Sequence, residues 1–397
     1  MRKAFLYPII NNLKAGRLDW LLEQSKKGFV TKYLNKVLPK KIVVGPTMAV
    51  LLVTYRCNSH CIMCDLPKRD LLEKEKEFTT KDWKKVIDQL VEIKTAGIGF
   101  TGGEPLVRPD CIELMKYAKD KGISVTLNTN AGLLTKEKIN QVLGNNIDNI
   151  NISLDSAQTA VYDKIRGIPF IRIIENAKNL INERNRQKSK TKITIVICVS
   201  HYNIKELDQI ADLAASLGAD KLGFIPMHHI PNTKDFNNLS NSKFGNQNSF
   251  KIQNSEIKIR PLTCKDPNPN IGKTFLEKID KIKKEGKIEI DNSPSYLNMF
   301  PLAFNGGNFP IPCLAAETSI TIDCYGNIFA CWPFLELKRP SLKLNLSNLT
   351  NLSNLSNRLP TLKSLWFSKE YEEIRKLTRN CYACFWNCHS ELSIFYK

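Results

Sequence analysis

The stretch Met48-Ala49-Val50-Leu51-Leu52-Val53-Thr54-Tyr55-Arg56-Cys57-Asn58-Ser59-His60-Cys61-Ile62-Met63-Cys64 decides how the rest of the chain is read. Its apolar run, Met48 to Val53, has the length of a buried strand and passes straight into three cysteines spaced by three and then two residues. Such spacing in one tight loop lets three sulfurs turn towards one metal centre. A structural zinc site normally takes four protein ligands, and no fourth cysteine lies nearby, although His60 sits inside the loop. Three sulfurs on a four-iron cluster would leave one iron open, as in centres that must bind something besides their own protein ligands.

Outward from this loop, strands and helices alternate as far as Met227. Apolar or β-branched runs at 48–54, 98–100, 123–128, 147–154, 192–199 and 221–226 predict six strands. Between them lie helical patterns. One places Trp83, Val86, Ile87, Leu90 and Val91 on one face after an N-cap at Thr79 or Thr80. Another runs from near Pro109 to Gly122, proline at its start and glycine past its end. Six strand–helix steps imply a parallel sheet, doubly wound or curved into a barrel, with ligands at the strands' carboxyl ends.

The cysteine loop after a first strand resembles the signature of the radical S-adenosylmethionine (radical SAM) family. The resemblance implies an α/β fold, a partial (β/α)6 TIM-like barrel, in which Cys57, Cys61 and Cys64 hold a [4Fe-4S] cluster whose remaining iron is chelated by S-adenosylmethionine. Met63 stands where the family often has an aromatic residue against the adenine, and its polarisable sulfur can pack on a flat ring. After the second strand, Gly102-Gly103-Glu104-Pro105 looks like the family's Gly-Gly-Glu-Pro motif, which meets the cofactor's methionyl amino group. Asn128 closes the third strand, Ser153 and Asp155 close the fourth, and Arg166 follows; the family places polar groups there for the ribose and an arginine for the carboxylate. Each has a plainer reading: a turn, a helix cap, a solvated surface charge. The implied chemistry is reductive cleavage of S-adenosylmethionine to a 5′-deoxyadenosyl radical, fed by an electron donor such as flavodoxin or ferredoxin, and hydrogen abstraction from substrate.

A second group of cysteines lies near the other end. Cys313 and Cys331 flank a hairpin pattern around Tyr325-Gly326-Asn327, and Cys381, Cys384 and Cys388 follow about fifty residues later. Four sulfurs suffice for zinc or for a complete iron–sulfur cluster. Attached to a radical SAM core, this region resembles the SPASM or shorter twitch extension: Gly326 lies five residues before Cys331, and 366–376 looks like the helix that precedes the last cysteines. That resemblance favours one auxiliary [4Fe-4S] cluster on Cys313, Cys331, Cys381 and Cys384, with Cys388 or Cys324 as a replacement or spare. Cys111 and Cys198 read as packing residues, and Cys264 has no metal-like spacing. His228 and His229, after the sixth strand, read as solvated or touching substrate.

The expected organisation is a basic, helical extension over 1–46, the radical SAM core over 47–230, a linker with a helix from Thr274 to Lys284 over 231–309, and the cysteine-rich domain over 310–397. A three-residue Leu/Asn/Ser repeat within 341–357 reads as an irregular insertion. Of 397 residues, 42% are hydrophobic and 24% charged, which excludes a disordered or collagen-like chain. No run is long enough to span a bilayer and no secretory signal is legible. With twelve cysteines, those clustered near the two ends at metal-like spacings, the expectation is a reducing cytoplasm. The net charge of +19 calls for an acidic partner, and the basic N-terminus offers peripheral membrane contact as one outlet. A zinc-stabilised nucleic-acid-binding protein is the non-enzyme alternative, but the lysines are dispersed and no recognition motif with aromatics is present, so no specific nucleic acid is expected. A leader-binding domain needs more residues than 1–46 supplies. The expected substrate is therefore a small molecule, sugar or lipid-linked compound, with a peptide or protein maturase as the alternative.

Overall fold

Helix α1 (Leu18–Phe29) leads to strand β1 (Met48–Leu52), and from there the chain builds its sheet in order. The computed structural model describes residues 18–30, 33, 43–64, 66–67, 76–227, 266–331, 341–344, 361–379, 381–382 and 385. His228, His229, Cys264, Cys384 and Cys388 lie outside the described residues. Strands β2 (Gly97–Thr101), β3 (Ser124–Thr129), β4 (Asn149–Ser153), β5 (Lys192–Val199) and β6 (Lys221–Pro226) each pair in parallel with the one before. Between them run α2 (Thr80–Glu92), α3 (Cys111–Asp120), α4 (Lys136–Gly144), α5 (Thr159–Arg166), α6 (Phe170–Arg186) and α7 (Leu207–Leu217). This is the α/β, TIM-like core expected from the sequence, and each strand lies within two residues of its predicted bounds.

Local sequence explains the elements. Thr79 caps α2 through a reciprocal box with Asp82, and the helix buries Trp83, Val86, Ile87 and Leu90. In β3 and β4 the pleat alternates: Val125, Leu127, Ile150 and Ile152 are buried, while Thr126, Asn128, Asn149, Asn151 and Ser153 are half-buried on the other face. The strands therefore present an apolar face to the helices and a polar face to the concave side.

The sheet continues past both ends of the core. After α8 (Ile271–Glu285), β7 (Glu289–Ile290) pairs in parallel with β6. Short helices α9 (Pro294–Leu297) and α10 (Phe300–Phe304) follow, and Phe300 stacks on Phe275 of α8 with ring centroids 4.2 Å apart. Strand β8 (Ser319–Asp323), buried along its whole length, pairs in parallel with β1, Met48 opposite Ser319 and Leu52 opposite Asp323. It turns back through β9 (Asn327–Phe329) in the expected hairpin, and β10 (Leu342–Lys343) adds a last antiparallel strand. The cysteine-rich region thus shares a sheet with the core.

Two helices stand where the sequence suggested one over 366–376. The first, α11 (Leu362–Trp366), ends before α12 (Lys369–Arg379) begins. The break lies at Ser368, whose hydroxyl accepts the Tyr371 N–H as a helix start. Among the described residues no helix is long and apolar enough to cross a membrane.

Candidate functional site

The cysteine loop is tied to its surroundings by main-chain hydrogen bonds. His60 N donates to Arg166 O at 3.2 Å and Ile62 N to Ile165 O at 3.0 Å, so the loop lies along the last turn of α5. The Ser59 hydroxyl also donates to Arg166 O. These contacts occupy carbonyls that a helix end leaves without intrahelical partners. Gly167, which ends α5 with φ +62°, is required there, because a Cβ would stand 2.9 Å from His60 O.

The glycine pair after β2 fastens the loop's other root. Gly103 N donates to Thr54 O at 2.8 Å and Glu104 N to Arg56 O at 2.9 Å. A Cβ at Gly102 would lie 2.2 Å from Thr54 O, and one at Gly103 2.2 Å from Arg56 O. The close approach that glycine permits is to the chain's own backbone just ahead of Cys57. Glu104 is buried, and three donors occupy its carboxylate: Leu106 N, the Thr129 hydroxyl at 2.8 Å and Asn130 N at 2.8 Å. Burial raises its pKa against those bonds. It braces the turn after β2 against the turn after β3.

Donors also converge on the sulfurs. Asn130 Nδ2 lies 4.0 Å from Cys57 Sγ and 2.8 Å from Asn58 Oδ1. Ser59 Oγ is 3.3 Å and Arg166 Nη1 3.8 Å from Cys61 Sγ. Arg166 is aimed by Asp155, whose Oδ2 takes Arg166 Nε at 2.5 Å while its Oδ1 takes Cys198 N at 2.7 Å. Burial works against the guanidinium's charge, but Asp155 and Cys61 outweigh it and raise its pKa. Burial pushes the Cys57 thiol up to about 11, so a metal would have to displace its proton. Among the described residues, no three His, Cys, Asp or Glu side chains converge on a single-ion site. The fit to an iron–sulfur cluster rests on the donor set: three half-buried sulfurs, two with N–H groups placed to support thiolate charge.

Of the other residues named from the sequence, Met63 is half-buried in the turn before Cys64. Asn128 accepts from Asn151 Nδ2 at 2.9 Å on the polar face, and Ser153 lies half-buried on the same face. Sequence reasoning passed over Asn58, Ser59, Asn130 and Gly167. Only the Asn-Ala-Gly sequence after β3 signals a turn, and nothing in it says that Asn130 reaches the cysteines.

The second cysteine region is assembled from distant segments. Cys313 N donates to Cys381 O at 3.1 Å and Phe309 N to Tyr382 O at 2.7 Å. Cys331, buried, follows β9. Tyr296 OH donates to Phe385 O at 2.5 Å, and the Phe309 and Phe385 rings meet edge to face. Cys324 is placed elsewhere: it follows β8 beside the root of the first loop, its carbonyl taking Phe78 N, and burial and the facing Glu77 push its thiol pKa up. Glu77 also accepts the Thr54 hydroxyl at 2.6 Å, and Tyr55 OH donates to Asp323 Oδ2 at 2.7 Å, so β8 and the first cysteine loop are locked together. Cys111 and Cys198 are buried.

Comparison with known proteins matches residues 51–214 to the Radical SAM superfamily. A PqqA peptide cyclase from Bradyrhizobium diazoefficiens is 33% identical over 181 residues, 45% of this chain and 46% of that protein. An AdoMet-dependent heme synthase from Methanosarcina barkeri is 31% identical over 177 residues, 44% of this chain and 49% of that protein. The chain thus spans about half the length of the curated relatives it matches. Among solved structures, Streptococcus suis SuiB bound to precursor peptide SuiA superposes with a TM-score of 0.59 at 15% identity, covering 92% of this chain and 78% of that one. Residues 51–214 are thus similar to the radical SAM superfamily, whose members bind a [4Fe-4S] cluster together with AdoMet.

Proposed function

We propose that this chain is a radical SAM enzyme that modifies a peptide. In this reading Cys57, Cys61 and Cys64 hold a [4Fe-4S] cluster at the sheet's carboxyl edge. S-adenosylmethionine lies beside it, near Met63, Gly102, Gly103, Asn128, Ser153 and Asp155. Cys313, Cys331, Cys381 and Cys384, with Cys388 in reserve, hold one auxiliary cluster within the region 310–397. When bound, the first cluster and S-adenosylmethionine supply a 5′-deoxyadenosyl radical that takes hydrogen from substrate. A low-potential donor such as flavodoxin or ferredoxin feeds it, in the cytoplasm.

The observation that carries the reading is the cysteine loop itself, held at the strands' carboxyl ends with Ser59, Asn130 and Arg166 beside its sulfurs. Glu104 and Asp155 fix the turns that hold those donors. Two supports favour a peptide over the small molecule expected from the sequence. The relatives include a peptide cyclase, and a structural neighbour is described with a precursor peptide. The polar face of β3 and β4, with Thr126, Asn128, Asn149 and Asn151, also offers amides and a hydroxyl suited to peptide groups. The heme synthase relative supports a small-molecule second reading.

The test is anaerobic reconstitution with iron and sulfide, then dithionite and S-adenosylmethionine, with and without short peptides encoded beside the chain's own gene. Formation of 5′-deoxyadenosine and a mass change in one peptide are expected. Replacing Cys57, Cys61 and Cys64 together with alanine should abolish both. Undiminished nucleoside in that variant overturns the assignment, and nucleoside formation with no peptide altered returns the substrate to the small-molecule class.

A further inference from the structure

Among its described side chains, helix α1 buries a lysine and exposes two large apolar residues. The side it turns to the sheet carries a lysine. Lys27 is 2% exposed, and its ammonium donates to Pro46 O at 3.1 Å and Lys94 O at 2.5 Å. Val30 is buried beside it in the chain. Three described apolar side chains are exposed: Leu22 at 70%, Phe29 at 54% and, past the helix end, Tyr33 at 57%. Leu22 and Phe29 are seven residues apart, two helical turns, and so share a face. The Tyr33 ring lies 5.7 Å from that of Phe29 and extends the patch.

We propose that this face seats on an anionic lipid surface. The charge is complementary in sequence, where residues 1–46 carry ten Lys and Arg against one Asp and one Glu. Lys26, with 64% of its side chain exposed, is on the helix itself. Apolar and aromatic side chains set among lysines match the bilayer interface, where rings sit at headgroup depth and ammonium groups reach phosphates. The placement is also consistent. Pro46 precedes β1 and Lys94 precedes β2, so α1 docks at the amino ends of the strands, opposite the cysteine loop. A bilayer there leaves the carboxyl edge facing water, open to a soluble peptide and a soluble reductant.

The full chain, purified anaerobically, would be floated with vesicles of phosphatidylcholine alone and of phosphatidylcholine mixed with phosphatidylglycerol. Binding is expected only to the mixed vesicles and should weaken as salt is raised. The double variant Leu22→Ser/Phe29→Ser should lower the bound fraction roughly tenfold, while its iron content and circular dichroism stay as in the parent. Lys26→Glu should lower it severalfold without touching the apolar face. Equal binding to both vesicle types, or undiminished binding by the double variant, overturns the proposal. So does a dimer in light scattering that the double variant dissociates while vesicles bind neither protein, since the face would then belong to a second copy.

Discussion

Cys57, Cys61 and Cys64 sit in one short loop whose roots and turns are fixed by main-chain hydrogen bonds to the turn after β2 and the end of α5. Cys313, Cys331 and Cys381 come from three separate segments, fastened by aromatic rings and a buried arginine. Arg375 lies 4.7 Å from the Trp366 ring centre and 4.6 Å from that of Tyr371, and donates to Ala316 O at 3.0 Å and to Trp366 O. The first loop is held chiefly by backbone bonds to neighbouring turns, whereas the second region adds a buried cluster of side chains to its main-chain bonds. Each can therefore be damaged without the other.

The strongest way to break that independence is Gly103→Ala. Its Cβ would be 2.2 Å from Arg56 O and 2.5 Å from Tyr55 O, both backbone atoms, so the root of the cysteine loop must move. We expect a loss of about 3 kcal/mol in stability and little iron at the first site, with iron at the second retained. Iron and sulfide per chain, with the two sites separated by spectroscopy in the Cys57/Cys61/Cys64 variant, measure this. Full loading of the first site would show that the glycine pair is not a brace.

Arg375→Ala should do the reverse. It removes a buried cation from between two rings and leaves the carbonyls of Ala316 and Trp366 without their donor. The expected cost is about 2–4 kcal/mol, with iron lost from the second region and 5′-deoxyadenosine formation retained at the first. Equal loss at both sites would mean that the shared sheet transmits the damage, through β8 beside β1.

The same contrast explains what the sequence could tell. Strands such as β5 and the cysteine loop are local patterns, visible in runs like Lys192–Val199 and in the spacing of Cys57, Cys61 and Cys64. The hairpin around Gly326 is local too. The parallel pairing of β8 with β1 joins residues some 270 apart, and a strand carries no mark of its neighbour when it is buried on both faces. Glu77, Asn130 and Arg375 were illegible for a related reason. Each is an ordinary polar residue whose role is set by what folds against it. Gly102 and Gly103 were legible as glycines, but their close approach to the backbone of Thr54 and Arg56 was not.

Gly167→Ala is a milder version of the first test. The residue must keep a left-handed conformation at φ +62° and its Cβ would press on His60 O at 2.9 Å. A cost of about 1–2 kcal/mol is expected, with the rate of 5′-deoxyadenosine formation reduced severalfold and iron at the first site partly lost. Insertion of asparagine instead, which tolerates this conformation better, should recover part of the rate. No difference between the two variants would mean that the contact with the cysteine loop, and not the backbone conformation, sets the requirement.

The smallest effect is expected at Lys27, which lies at the other end of the strands and should leave iron at both sites unchanged. Burial lowers its pKa from 10.5 to about 8; Glu23 nearby opposes this and Lys94 adds to it. The folded state therefore binds fewer protons than the unfolded one between about pH 8 and 10.5. Stability from this group is fully present above the unfolded value and is lost as pH falls through about 8. The shift corresponds to at most about 3 kcal/mol, and local release of α1 caps what is observed. Tm should therefore rise more steeply between pH 7 and pH 10 in the parent than in Lys27→Met. If the two pH profiles are parallel, the ammonium is already solvated in the folded chain and α1 is not held by the contacts to Pro46 and Lys94. If they differ as expected while iron stays constant, the amino ends of the strands are energetically separate from both cysteine regions.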